Sequence, residues 1–137
     1  MEEEIARYLR ERDKVAAWLD VEVLGVKPGS AKIGMTVRAD MLNAAGVCQG
    51  GALFSFADFA FAVASNSRGP LALAISGNIS FIHPAHAGDR LIAEAEELQR
   101  TKRIGLYRIA ITREPDQMLI ASFTGHVFVK EDHVMKG

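Results

Sequence analysis

Between Met41 and Gly88 the chain has only two Asp, Glu, Lys or Arg residues, Asp58 and Arg68. Asp58 lies in the middle of GGALFSFADFAFAVASN, residues 50–66. A carboxylate among Ala, Leu, Phe and Val loses hydration, which raises its pKa and costs stability unless something hydrogen-bonds it. Two readings follow. Asp58 pairs with a distant arginine or a backbone amide, or it is a catalytic base or nucleophile in a pocket, where perturbed carboxylates concentrate. Gly50-Gly51 opens the same run. Two residues without side chains leave the first-turn N–H groups of a helix open to an incoming oxygen, and the positive end of the helix dipole suits a developing oxyanion. Taken alone the pair is a weak signal, and a tight loop-to-helix turn is its simpler reading.

If both groups act on one carbonyl, helix geometry constrains how. Gly50 and Asp58 are eight residues apart, about 12 Å along a rigid helix at ~1.5 Å per residue. Backward tilt of the Asp side chain recovers only a few ångströms. Both therefore cannot sit ~3 Å from the same reacting group within one chain. A two-fold related, antiparallel helix would bring Asp58 of one chain to Gly50 of the other, so the spacing predicts a homodimer with two shared sites.

The remaining reactive side chains carry less. Cys48 has no neighbouring His and reads as a small buried or loop residue. His83 and His86 bracket Pro84 in a turn, His126 falls in a strand-like run, and His133 belongs to a polar end segment. Arg68, Lys102 and Arg103 are candidates for phosphate contacts, with solvated surface charge as the simpler reading.

These residues must be positioned by a short list of elements. Residues 2–20 place Ile5, Leu9, Val15, Ala16 and Leu19 at helical spacing and predict one amphipathic helix. Residues 21–27 and 31–38 are β-rich and flank Pro28-Gly29-Ser30, a hairpin signal. Residues 40–49 show no period and predict loop. The 50–66 run is too long for a strand and apolar nearly all round, so it predicts a central helix buried on most sides. It is shorter than the ~20 apolar residues that span a bilayer, and Asp58 interrupts it. Strand-like segments follow at 71–81, 90–99, 106–113 and 118–129, separated by His83-Pro84, Gly88-Asp89 and Glu114-Pro115-Asp116-Gln117. One peripheral helix, one central helix and about six strands predict an α+β domain.

Composition narrows the class. The 137 residues are 49% hydrophobic, enough for one core, and 16 Lys+Arg against 17 Asp+Glu leave a net charge of −1. No basic excess points to nucleic acid. One cysteine excludes an internal disulfide framework, and no Cys/His spacing suggests a metal. The start, MEEEIARYLRERDK, is unlike a signal peptide, so a reducing cytoplasm is expected, without membrane partners.

The sequence resembles a family. Met41-Leu42-Asn43, Cys48-Gln49-Gly50-Gly51, Leu53-Phe54-Ser55-Phe56-Ala57-Asp58 and Ala64-Ser65-Asn66-Ser67-Arg68-Gly69 are similar to hotdog-fold acyl-CoA thioesterases of the phenylacetate-degradation (PaaI-like) type. The segment 79–84 and Ala87-Gly88-Asp89 continue the match, which covers residues 21–130. The resemblance implies a hotdog fold: a curled antiparallel sheet wrapped around the central helix, here with an extra N-terminal helix. It implies one domain over residues 1–137 with a polar tail at 131–137, paired into dimers and dimer-of-dimers tetramers. It implies hydrolysis of an acyl-CoA thioester with no metal and no cofactor beyond the coenzyme A of the substrate. By position, Asp58 becomes the acidic catalytic residue and Gly50 supplies the N–H that polarises the carbonyl. Asn43 holds substrate or water, and Gln49, Gly51, Phe54, Ser67 and Ser76 contact substrate. Phe54, Phe59 and Phe61 suit an aryl or medium-chain acyl group.

Two departures stand out. Gln49 occupies a position usually held by His, and Gln hydrogen-bonds but does not titrate. That substitution keeps open a catalytically weak acyl-CoA-binding or scaffold protein. His83 stands where Arg often precedes the strand-ending Pro, losing a guanidinium fork. A hotdog hydratase needs a His working with an acid, and residues 43–66 contain none.

Overall fold

The computed structural model describes residues 1–136. In chain order it contains α1 (Glu2–Arg12), α2 (Lys14–Leu19), β1 (Glu22–Lys27), β2 (Ser30–Thr36), a 3-10 turn at Ala39–Met41, α3 (Gly50–Asn66), β3 (Pro70–Phe81), β4 (Arg90–Arg100), β5 (Ile104–Glu114) and β6 (Met118–His133). The strands form one antiparallel sheet in the order β1-β2-β4-β5-β6-β3. The sheet curls around α3, giving the α+β hotdog architecture with its added N-terminal helical segment.

Period-two burial builds the concave face. Tyr107, Ile109 and Ile111 of β5 are buried, as are Ala121, Phe123, Val127 and Val129 of β6. Gly125 completes that row, where a Cβ would lie 2.7 Å from the Phe61 ring of α3, so glycine is what lets helix and sheet close. From α3 the sheet buries Leu53, Phe56, Ala57, Phe59, Ala60, Phe61, Val63 and Ala64. The helix is covered except along one stripe. Gly51, Phe54 and Asp58 are exposed, and Ser55 and Ala62 half-buried, at the three- and four-residue steps that define one helix face.

The last turn of α3 is fastened by polar contacts. Asn66 Nδ2 donates to the carbonyls of Ala62 (2.9 Å) and Ala72 (3.2 Å), and its Oδ1 accepts from Ala72 N–H (2.9 Å). Arg100 donates to Ser65 O (3.2 Å) and to the Tyr107 hydroxyl (2.9 Å), which itself donates to Glu97 (2.8 Å). Arg68 closes the cluster as a bidentate pair with Glu97 at 3.0 and 2.8 Å, which holds the Glu97 carboxyl below its usual range. Arg68 is therefore neither a lone solvated charge nor a free phosphate ligand.

Two expected boundaries are corrected. The single helix at residues 1–20 is broken at Asp13, which adopts an extended conformation and accepts from the N–H groups of Val15 (3.1 Å) and Ala16 (2.9 Å). It is the N-cap of α2. The polar tail expected at 131–137 is strand through His133, because Pro70 of β3 pairs with His133 and Val134 is buried with its N–H on Gly69 O. Residue 137 lies outside the described residues. Among them no helix is long and apolar enough to cross a membrane.

Ser67, expected at the substrate, is 1% exposed; its hydroxyl donates to Ala64 O (2.7 Å) and accepts from Gly29 N–H (2.8 Å), tying the β1–β2 turn to the end of α3. Ser67→Ala leaves the Gly29 N–H buried without an acceptor and should cost about 1–3 kcal/mol in urea unfolding while ligand affinity at the other end of α3 is unchanged. Unaltered stability with weakened binding would return Ser67 to the substrate.

Candidate active site

Gln49 caps α3 in an extended conformation (φ −67, ψ 141), and its Oε1 accepts from Gly51 N–H at 2.9 Å. Its main-chain carbonyl takes the N–H groups of Ala52 (3.0 Å) and Leu53 (3.2 Å). Three of the four N–H groups of the first turn are thereby engaged. Gly50 N–H meets no acceptor among the described residues. The Phe81 ring lies against Gly50, where a Cβ would come within 2.9 Å of it. Gln49 thus leaves one amide of a helix N-terminus available to a ligand oxygen, with the helix dipole behind it.

Asn43 sits across the loop that leads into α3. Its Oδ1 accepts from Ala45 N–H (2.9 Å) and Val47 N–H (3.2 Å), and its own N–H donates to Val47 O (2.8 Å). The loop is closed by these bonds and by the Leu42–Cys48 bridge, while the Asn43 side-chain NH2 group meets no acceptor among the described residues. Asn43, Gln49, Gly51 and Ser55 line one cleft of about 450 Å³. Its far wall is Trp18 of α2, a residue the sequence reading missed. The available signal was its type, the single Trp of the sequence within an amphipathic segment.

Asp58 stands further along the same stripe, in a separate hollow of about 240 Å³ with Leu9, Phe61, Leu71, Leu73 and Val127 among its walls. The residue is exposed, yet the surrounding apolar atoms strip water from the carboxyl and raise its pKa above the ordinary value. The Asp13 carboxylate, a like charge, raises it further. The helix therefore keeps acid and amide apart within one chain, as their spacing requires.

Other candidates are dispersed. Phe54 is 37% exposed and packs edge-on to Phe123 at 5.2 Å, whereas Phe59 and Phe61 belong to the core. Ser76 lies on exposed β3 with its hydroxyl 2.9 Å from His126 Nδ1, away from the start of α3. Cys48 is buried, and desolvation pushes its thiol up to about 11, so at neutral pH it is not a thiolate. His83 Nδ1 lies 2.9 Å from Leu119 O. Among the described residues no three His, Cys, Asp or Glu side chains converge on a point.

Comparison with known proteins adds the context. A family model described as "Thioesterase superfamily" matches residues 45–120, the stretch that holds α3 and its glycine pair. An Escherichia coli K12 relative named acyl-coenzyme A thioesterase PaaI is 41% identical, covering 88% of this chain and 85% of its own length. A relative from Archaeoglobus fulgidus is 42% identical over 96% of this chain and 86% of its own. The solved structure of the E. coli PaaI protein from the phenylacetic acid degradation operon superposes with a TM-score of 0.93 at 37% identity, covering 96% of this chain and 95% of that one.

The two contributions to the Asp58 pKa can be separated. Carboxyl NMR should show Asp58 titrating above the ordinary Asp value of ~3.9. Asp13→Asn, which retains an N-cap, should lower that midpoint while leaving it above the ordinary value, because desolvation is the larger cause. An unchanged midpoint would remove Asp13 from the electrostatics of the site.

Proposed function

The chain belongs to the thioesterase superfamily, and from that membership and the site geometry we propose that it hydrolyses aryl- or medium-chain acyl-CoA thioesters at sites shared by two chains. The observation that carries this reading is the single free amide, Gly50 N–H, at the capped end of α3. A thioester carbonyl oxygen placed there gains charge as the tetrahedral intermediate forms, and such a donor contributes ~3–4 kcal/mol to the transition state.

Asp58 of the second chain supplies the other half. Ionised, it either takes a proton from a water that adds to the carbonyl carbon before the coenzyme A thiolate departs, or it adds to that carbon itself and expels the thiolate, leaving an acyl-aspartyl anhydride that water then hydrolyses. Its raised pKa makes it a better base than an ordinary carboxylate. Asn43 orients substrate or water through its free NH2 group. Gln49 serves as the cap of α3 and takes no part in proton transfer in this reading. Only groups of the chain and the substrate enter these steps. The proposed place of action is the reducing cytoplasm.

The fold offers a surface for the second copy. β3 is an edge strand of twelve residues with Leu73 (50%), Ile75 (59%) and Phe81 (54%) exposed. A long apolar edge left bare is an aggregation template, so a stable protein covers it. Antiparallel pairing of two β3 edges about a two-fold axis covers both and sets the α3 helices side by side in opposite directions. Dimers of this kind associating again give the tetramer. The hollow beside Asp58, apolar on most sides, suits the acyl group.

Incubation with a panel of acyl-CoAs and a thiol reagent should release free coenzyme A, most readily from aryl and medium-chain thioesters. Asp58→Asn should lower kcat by about 10²–10⁴-fold while acyl-CoA still binds. A wild-type kcat in that variant would take Asp58 out of the mechanism. Gln49→His should retain or raise activity. A folded wild-type protein that binds acyl-CoA and releases no thiol would instead identify a binding module.

A further inference from the structure

The cleft at the start of α3 and the hollow beside Asp58 differ in chemistry, and the difference assigns their occupants. The hollow is small and apolar, with Leu9, Phe61 and Val127 among its walls. The larger cleft mixes the free NH2 group of Asn43, the Ser55 hydroxyl and the glycine backbone with a single aromatic face, that of Trp18. It suits a ligand that alternates amides with apolar carbons.

Trp18 is held in place without being covered. Arg38 Nη2 donates to the Trp18 carbonyl at 2.7 Å, its guanidinium carbon lies 5.7 Å from the indole centroid, and Asp40 fixes the guanidinium at 3.0 Å. Ala16 and Leu19 on either side anchor α2 in the core. Even so, 51% of Trp18 is open to solvent. Arg38 thus anchors the Trp18 backbone and flanks its ring, and a half-exposed aromatic is presented at the mouth of the cleft.

We propose that Trp18 packs against the pantetheine arm of coenzyme A and makes this cleft the entry for the leaving group rather than for the acyl group. The inference rests on the acyl-CoA reading above. The arm carries two amides and a gem-dimethyl carbon. Its amides match Asn43 and Ser55, and its methyl groups match the flat indole. The arm is common to every acyl-CoA, so Trp18 sets affinity without regard to the acyl chain. Trp18 lies in α2, ahead of the matched family region at residues 45–120.

Trp18 is the only tryptophan of the chain, so its fluorescence reports on this cleft alone. Desulfo-coenzyme A should change its emission saturably, and acetyl-CoA and phenylacetyl-CoA added to the Asp58→Asn protein should change it by similar amounts. In steady-state assays Trp18→Ala should raise KM about tenfold, equally for acetyl and phenylacetyl thioesters, and Trp18→Phe should recover most of the loss. Calorimetric binding of desulfo-coenzyme A with no change in emission would overturn the proposal. So would a KM penalty that grows with the acyl group, which would move Trp18 to the acyl side. If the wild-type protein hydrolyses no acyl-CoA, the catalytic reading fails, and the fluorescence and calorimetric arms still decide the role of Trp18. Absence of any binding overturns both.

Discussion

A straight α-helix holds Gly50 and Asp58 about 12 Å apart along its axis, and neither residue approaches the other without breaking α3. The rest of the molecule serves to keep that helix straight, buried and capped. The curled sheet covers it on every side but one, and the uncovered stripe carries Gly51, Phe54, Ser55 and Asp58. The same rigidity keeps one chain from bringing both groups to one carbonyl, which is why the site proposed above is shared between two antiparallel copies.

Capping divides the labour between the two ends of α3. At its N-terminus Gln49 consumes three amides and spares one, so the positive end of the dipole is concentrated on a single donor. At its C-terminus Asn66, Ser67 and Arg100 bond carbonyls and neighbouring backbone groups, while Arg68 and Tyr107 both donate to Glu97. Asn66, Ser67, Arg68 and Arg100 thus fasten the C-terminal end of α3 to its surroundings. Asp58 lies between the two ends, with a pKa raised by apolar walls and by Asp13.

Much of this was legible in the sequence, and the reasons are physical. The apolar run at 50–66 marks α3 to the residue because Gly50-Gly51 and Ser67-Arg68-Gly69 bound it sharply. The isolation of Asp58 was visible because the surrounding 48 residues hold one other such charge. Side-chain partners were not legible. Ser67 was expected at substrate because a hydroxyl at a motif position looks the same whether it faces a cleft or a buried turn. Trp18 was passed over because amphipathic spacing does not distinguish an aromatic left open by its neighbours from one on a solvated face. The break at Asp13 was missed because the apolar spacing continues across it, and only the capping geometry stops the helix.

The shared site is tested most directly by mixing two chains that are each inactive. Asp58→Ala removes the acid. Gly50→Pro removes the donor, and it suits this position: proline is favoured at the first residue of a helix, and Gln49 already has the extended conformation that a following proline demands. The Phe81 ring lies 2.9 Å from where a Cβ at this position would stand, so the fold of this variant is checked before mixing. After co-refolding, with circular dichroism confirming that each variant is folded, random pairing makes about half the dimers mixed, and each mixed dimer carries one intact site of two. The account predicts recovery of roughly a quarter of wild-type hydrolysis from the mixture. A mixture that remains inactive while mixed dimers are shown to form would contradict it.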